Sequence, residues 1–265
     1  MTLHHLAARG GHVQLLDFLL LQAPEEIEAV TVGDMDFITP LHYAIGKGSY
    51  SCMELLLQKG AKVETETRSH GNAIHVALRQ PFRVNSLLSL LMDYIQDNET
   101  SFSLRNDENG MSIFQLAVFY NFTDVAISML HRFGADTVQV DLYTKGGAGA
   151  IHLATQNGNL AIILELLKYG ATIDLTDNAG QSPLLVACLK PNFDVLKALI
   201  FKGSDLKHQD RHGHTALHMM ASYSSDIKAL CLLLSGGAAV DSRTRHFNTP
   251  LHLAALSGNH VRYYL

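Results

Sequence analysis

Four histidines fall close together in Lys207–His218, KHQDRHGHTALH: His208, His212, His214 and His218. Imidazole is a good zinc ligand, and a cluster of this density raises the question of a metal site. A closed zinc site also draws on cysteines at short spacing. The three cysteines, Cys52, Cys188 and Cys231, are far apart and form no C-x-x-C pair. His218 belongs to a string that recurs along the chain, so its role is expected to be structural. The stretch is read as a polar turn tip, with a histidine-based metal site as the remote alternative. Cys188 (LLVACLK) and Cys231 (ALCLLLSGG) sit in apolar runs and are expected to be buried packing residues. Cys52 has no evident partner. No G-x-S-x-G, H-E-x-x-H, Walker or G-x-G-x-x-G pattern occurs in a suitable setting. The glycine cluster Gly146–Gly149 lacks the Gly-Lys-Ser/Thr of a phosphate loop. No catalytic residue, cofactor or metal ligand is assigned, and the chain is not read as an enzyme.

The elements that carry these residues repeat. Aligned on the last residue of TPLH-like strings, the matching positions are His5, His42, His75, Gln115, His152, Leu185, His218 and His252. The intervals are 37, 33, 40, 37, 33, 33 and 34 residues, and self-similarity at such a period is the signature of a stacked repeat. One unit can be read physically. Ser182 before Pro183 suits a helix N-cap followed by proline in the first turn. The first helix, PLLVACLK, is short. A second, from about Phe193 to Phe201, places Val195, Leu196, Leu199 and Ile200 at helical spacing. Gly203 then suits a left-handed helix end, and the polar SDLKHQDRHGH that follows reads as an extended turn. Core packing is the expected role of Met53, Phe119, Met129 and Tyr169.

These residues resemble the ankyrin-repeat family. The resemblance rests on Thr39-Pro40-Leu41-His42, Ile151-His152-Leu153-Ala154, Thr215-Ala216-Leu217-His218 and Thr249-Pro250-Leu251-His252. It rests also on the Gly-Ala pairs at 60–61, 134–135, 170–171 and 237–238. It covers essentially the whole chain. It implies an all-α ankyrin-repeat solenoid of helix–turn–helix units with projecting hairpin-like turns, in which the TPLH histidines bond backbone groups of neighbouring repeats. About eight repeats are expected in a single domain, at approximately 1–36, 37–69, 70–109, 110–146, 147–179, 180–212, 213–246 and 247–265, the last incomplete. Gln115 and Leu185 replace the histidine. The third repeat carries the irregular stretch RQPFRVNSLLSLLMDYIQDNETSFSLRNDENG, and long turns are expected at Pro24–Ile38 and Thr137–Gly149. The last repeat stops at Leu265 before its glycine turn, which suggests a fragment of a longer protein.

The family implies protein–protein interaction as scaffold, adaptor or regulatory module. The alternative is the ankyrin portion of a larger enzyme, ubiquitin-ligase adaptor or membrane channel. Composition agrees with a folded binding module: 265 residues, 47% hydrophobic and 17% charged, with no apolar run near the ~20 residues of a membrane helix. The absence of a cysteine framework and of a signal-peptide pattern points to the cytoplasm, with the nucleus as alternative. A net charge of -5 gives no pull towards nucleic acid or anionic membrane. Charge is unevenly spread, however. Residues 1–66 hold four Lys and Arg against nine Asp and Glu, whereas residues 200–265 hold seven against four. Two successive turns near the C-terminus are basic: Lys207, His208, Arg211 and His212, then Arg243, Arg245 and His246. If repeats stack in order, these turns lie side by side and suit an acidic partner segment. Tyr50, Tyr120 and Tyr223, near inter-helix loops, are candidate aromatic contacts.

Overall fold

Short helices, most of them opening on proline or alanine, alternate with longer amphipathic ones. The computed structural model describes residues 1–28, 37–68, 71–79, 88, 90, 91, 93, 94, 110–224 and 226–258. Among them, the first helices of the repeats are α1 (Leu3–Gly10), α3 (Pro40–Gly46), α5 (Ala73–Leu78), α6 (Ile113–Phe119), α8 (Ala150–Gln156), α10 (Pro183–Leu189), α12 (Ala216–Tyr223) and α14 (Pro250–Leu256). The second helices are α2 (Val13–Gln22), α4 (Tyr50–Gln58), α7 (Thr123–Val138), α9 (Leu160–Lys168), α11 (Phe193–Phe201) and α13 (Ile227–Ser235). A 3₁₀ turn, Pro24–Glu28, follows α2. There is no β-strand among the described residues, only an isolated bridge between Thr67 and Gly71. The chain divides into two compact units, Met1–Val125 and Ala126–Leu265.

Within the first unit α1 packs on α3, α3 on α5 and α5 on α6, while α2 packs on α4. Within the second unit α8, α10, α12 and α14 pack in sequence order, as do α9, α11 and α13. A first helix with neighbours on both sides, such as α3, α10 or α12, is therefore buried nearly all round. In α8 every residue from Ala150 to Thr155 is buried. The second residue after the aligned position is a buried alanine in seven of these eight helices: Ala7, Ala44, Ala77, Ala117, Ala154, Ala187 and Ala254, with Met220 in the other. A small side chain there lets adjacent helices approach at interior packing density. The second helices bury only one stripe, such as Ile162, Ile163 and Leu166 in α9. Each fully buried aliphatic side chain of this kind contributes roughly 1.5–3 kcal/mol.

Two expectations of buried packing are corrected, Cys231 by that one-sided burial and Phe119 by its place at the end of a first helix. Cys231 is exposed, because in α13 the core stripe is Ala229, Leu230 and Leu233. Phe119, at the end of α6, is likewise exposed, its ring edge against Tyr120. Met53 and Met129 are fully buried. In α7, Gly134 has a non-helical backbone (φ 76°, ψ 171°), so the helical stretch bends at the Gly-Ala pair and resumes instead of ending there. Most of the irregular stretch of the third repeat, and the second helix of the last repeat, lie outside the described residues.

Candidate protein-binding surface

The turns are built from one residue that folds the backbone onto itself. In the second unit these residues are Thr144, Asp177, Asp210 and Thr244. The amide of Asp210 donates to the His214 carbonyl at 3.0 Å, and Gly213 N–H returns to the Asp210 carbonyl at 2.9 Å. Asp210 Oδ1 also accepts from the amides of His212 and His214, each at 2.8 Å, while Oδ2 takes the His214 ring Nδ1 at 3.2 Å. Burial of this carboxyl favours its neutral form, but the amide and imidazole donors outweigh it and hold Asp210 below the usual carboxylate range. Asp177 repeats the pattern, its Oδ1 accepting from Ala179 and Gln181 at 2.8 Å each. Thr144 and Thr244 do the same through Oγ1, to Ala148 and Asn248, each at 3.2 Å. Asp and Thr suit this task because a short side-chain acceptor can imitate a backbone turn.

Successive turns are then tied to one another. Asn178 N–H donates to the Gly146 carbonyl at 3.2 Å, Arg211 N–H to Ala179 at 3.0 Å, and Arg245 N–H to His212 at 2.9 Å. The same amide position meets the same carbonyl position in three consecutive layers, forming a backbone ladder along the turn edge. It sets Arg211 and His212 against Arg245 and His246, all four exposed. Arg243 and Lys207 are exposed on the stems, and Gln209 Nε2 reaches the Arg243 carbonyl at 3.4 Å. His208 is half-buried, its Nε2 on the Gly180 carbonyl at 2.8 Å, so that ring ties layers together rather than facing outward.

The histidine cluster is held apart by the same bonds. His218 is buried, with Nδ1 accepting from Thr215 N at 3.1 Å and Nε2 on the Asn248 carbonyl at 3.0 Å. The rings of His212 and His214 are 5.9 Å apart, and those of His214 and His218 are 6.0 Å apart. Both nitrogens of His218 and one each of His208 and His214 are thus committed within the fold. Among the described residues no group of three or more His, Cys, Asp and Glu is placed to hold a metal ion.

His5 and His152 work as His218 does. His5 Nδ1 accepts from Thr2 N at 3.0 Å and its Nε2 reaches the Ile38 carbonyl at 2.9 Å. His152 Nδ1 accepts from Gly149 N at 3.1 Å and its Nε2 reaches Gln181 O at 3.0 Å. An Nδ1 that accepts an amide proton leaves the ring proton on Nε2, where it is donated to the next repeat. The neutral ring is therefore the working form. Burial lowers the pKa of both His152 and His218. Gln115 preserves the cap: its Oε1 accepts from Ser112 N at 3.0 Å while its backbone N–H donates to Ser112 Oγ at 3.2 Å. Leu185 is buried and apolar, and Ser182 alone caps α10 from its side chain.

A model for ankyrin repeats (three copies) matches residues 3–101, 130–210 and 184–265. The chain belongs to the ankyrin-repeat family. Ankyrin repeats mediate protein–protein interaction. Among curated relatives, the chain is 24% identical to the E3 ubiquitin-protein ligase KEG of Arabidopsis thaliana over 96% of its length and 16% of the ligase. It is 33% identical to the nuclear factor NF-kappa-B p105 subunit of Gallus gallus over 71% of its length and 19% of that protein. It is 26% identical to the B-cell lymphoma 3 protein homolog of Mus musculus over 86% of its length and 50% of that protein. The chain thus spans half or less of the length of each.

Of the aromatic candidates, Tyr50 and Tyr120 belong to the first unit and Tyr223 to the second, all exposed. Tyr50 opens α4, Tyr120 follows α6 with its ring near Phe122, and Tyr223 ends α12. The aromatic that sequence reasoning passed over is Phe247, which stands 73% exposed at the tip of the last described turn. The signal lay in the alignment: Phe247 occupies the place of Gly147, Gly180 and Gly213. No described helix is long and apolar enough to cross a membrane.

Proposed function

We propose that this chain binds another protein through the basic turn edge of its second unit and that the bound element is an acidic segment. The observation that carries the reading is the ladder from Ala179 to Arg211 and from His212 to Arg245. It places the exposed guanidinium groups of Arg211 and Arg245 in adjacent layers with their backbones already fixed. Preorganised charge of this kind steers an oppositely charged partner and selects among partners. The chain contributes recognition and not chemistry: about eight repeats, divided as in the sequence, supply the scaffold. The cytoplasm or nucleus is the compartment that fits such a module.

Affinity capture from cell extract with the wild-type chain and with an Arg211→Glu/Arg243→Glu variant tests the reading. Captured proteins should be lost with the variant, and their binding to wild type should weaken with salt. Capture and salt dependence unchanged by the double reversal would overturn it. A second reading, in which this module is the recognition part of a longer protein, is supported by the fractions of the curated relatives that the chain covers.

A further inference from the structure

The backbone ladder of the second unit aligns more than two arginines. The residue whose amide crosses to the preceding layer is Asn178, then Arg211, then Arg245, and the matching residue of the layer before them is Lys145. All four are exposed. The position is open in the interior layers as much as in the last, so its exposure belongs to the repeat itself. Glycines two residues further on keep successive turns close. Gly147, Gly180 and Gly213 are left-handed (φ 78°, 76° and 82°), and a methyl group on each would come within 3.0 Å of the amide nitrogen of Asn178, Arg211 and Arg245 respectively. Asn178 Nδ2 adds a bond to the Lys145 carbonyl at 3.0 Å. The column Lys145, Asn178, Arg211, Arg245 is thus held in register from layer to layer.

Three of its four members are cationic, and the tips themselves hold no acidic residue. Residues 145–148, 178–181, 211–214 and 245–248 include neither Asp nor Glu. The carboxylates of this edge belong to the stems and turn interiors, where backbone amides engage them. Asp141 accepts from Thr172 N at 3.0 Å, Asp174 from Asp205 N at 3.1 Å and Asp205 from Lys207 N at 2.8 Å, while Asp177 and Asp210 close their own turns. Asp241 is exposed on the last stem. Like charges in adjacent layers repel, a cost that an anionic partner removes.

The layer spacing says what shape that partner takes. Helices packed in successive layers lie about 8–10 Å apart. A polyproline II segment has three residues per turn and rises about 3.1 Å per residue, so every third side chain returns to one face after about 9.3 Å. A β-strand repeats a face every ~6.6 Å and an α-helix every ~5.4 Å, and both fall out of step with the layers. We propose that this column binds an acidic segment in the polyproline II conformation, with a carboxylate at every third residue, laid across the turns from Lys145 to Arg245. Asn178 supplies a neutral donor to the second carboxylate of the series. The proposal rests on the acidic-partner reading above and adds the partner's conformation and spacing.

Two fluorescent peptides of equal composition and charge test it: Glu-Pro-Pro repeated four times, and Glu-Glu-Pro-Pro-Pro-Pro repeated twice. Titrated by anisotropy against the full chain at low ionic strength, the first should bind about fivefold tighter, the effect of seating one or two more exposed ion pairs. Lys145→Ala should weaken the first peptide about threefold, and Asn178→Lys, which completes the column, should strengthen it by a similar factor. Neither variant should move the second peptide or the melting temperature appreciably. Equal binding of the two peptides, still abolished by Arg211→Glu/Arg243→Glu, would overturn the spacing and leave the acidic-partner reading standing. Failure of the chain to bind either peptide, or binding untouched by the double reversal, would overturn both. Tighter binding of a twelve-residue oligothymidylate through Lys145, Arg211 and Arg245 would show that the column takes nucleic-acid phosphates and would also overturn the proposal.

Discussion

His218 Nε2 lies 3.0 Å from the carbonyl oxygen of Asn248, thirty residues along the chain, while its Nδ1 caps the helix it stands in. One ring thus closes a local helix terminus and a contact between layers, and it can do both only as the neutral Nε2–H tautomer. His218→Ala should remove both bonds and leave a hole in a fully buried position. We expect a loss of about 2–4 kcal/mol in urea unfolding. His218→Gln should recover part of it, because Gln115 already closes α6 in that manner. Equal loss from Ala and Gln would show that the cap contributes nothing.

A pH dependence follows with a definite sign. Burial lowers the pKa of His152 and His218 in the folded state, so below the ordinary histidine value near 6.5 the unfolded chain binds more protons than the folded one. Their contribution is fully present above that value and is lost as pH falls through it towards the folded pKa values. The urea midpoint should therefore be lower at pH 5.5 than at pH 7.5, and His218→Gln should reduce the difference. Asp210 acts in the same direction only in stronger acid, below the ordinary carboxylate range. A midpoint that rises on going from pH 7.5 to 5.5 would contradict this account.

The thiols offer a check on burial. Cys231 is exposed, whereas Cys52 and Cys188 are buried, and burial pushes the Cys188 thiol up to about 12. In native protein one of the three should react readily with a thiol reagent, and all three after denaturation. Removal of the fast-reacting thiol by Cys231→Ser would confirm the assignment. A fast phase that survives in that variant would place a second thiol at the surface.

Much of this was legible in the sequence because the fold is local and repeated. The interval of 33 or 34 residues, Ser182 before Pro183 and the stripe Val195, Leu196 and Leu199 each encode a neighbour-scale interaction. The structure places α11 at Phe193–Phe201, where that stripe required it. Exposure was harder to read. An apolar run such as that around Cys231 looks the same whether one side of a helix is buried or both, and only the single-layer position of α13 decides it. The departures were also ambiguous one residue at a time. Gln115 reads as a lost histidine until its Oε1 is seen accepting the Ser112 amide. Phe247 reads as an ordinary turn residue until it is aligned with three left-handed glycines.

Those glycines give the last prediction, which separates torsion from contact. Gly213 and Gly237 are both left-handed, with φ of 82° and 89°. An added methyl group at Gly213 would lie 2.9 Å from Arg245 N and 3.0 Å from Thr244 Cα, whereas at Gly237 it would meet nothing within 4 Å. Gly237→Ala should therefore cost about 1 kcal/mol, the penalty of placing an L-residue in that region. Gly213→Ala should cost that and more, because backbone of the next turn has to give way and the bond from Arg245 N–H to His212 lengthens. Thermal melts of the two variants supply the comparison, and faster amide exchange at Arg245 in Gly213→Ala alone would locate the extra loss in the ladder. Equal destabilisation by the two substitutions would mean that the turns are free to part, and the fixed spacing of Arg211 and Arg245 would then have no structural cause.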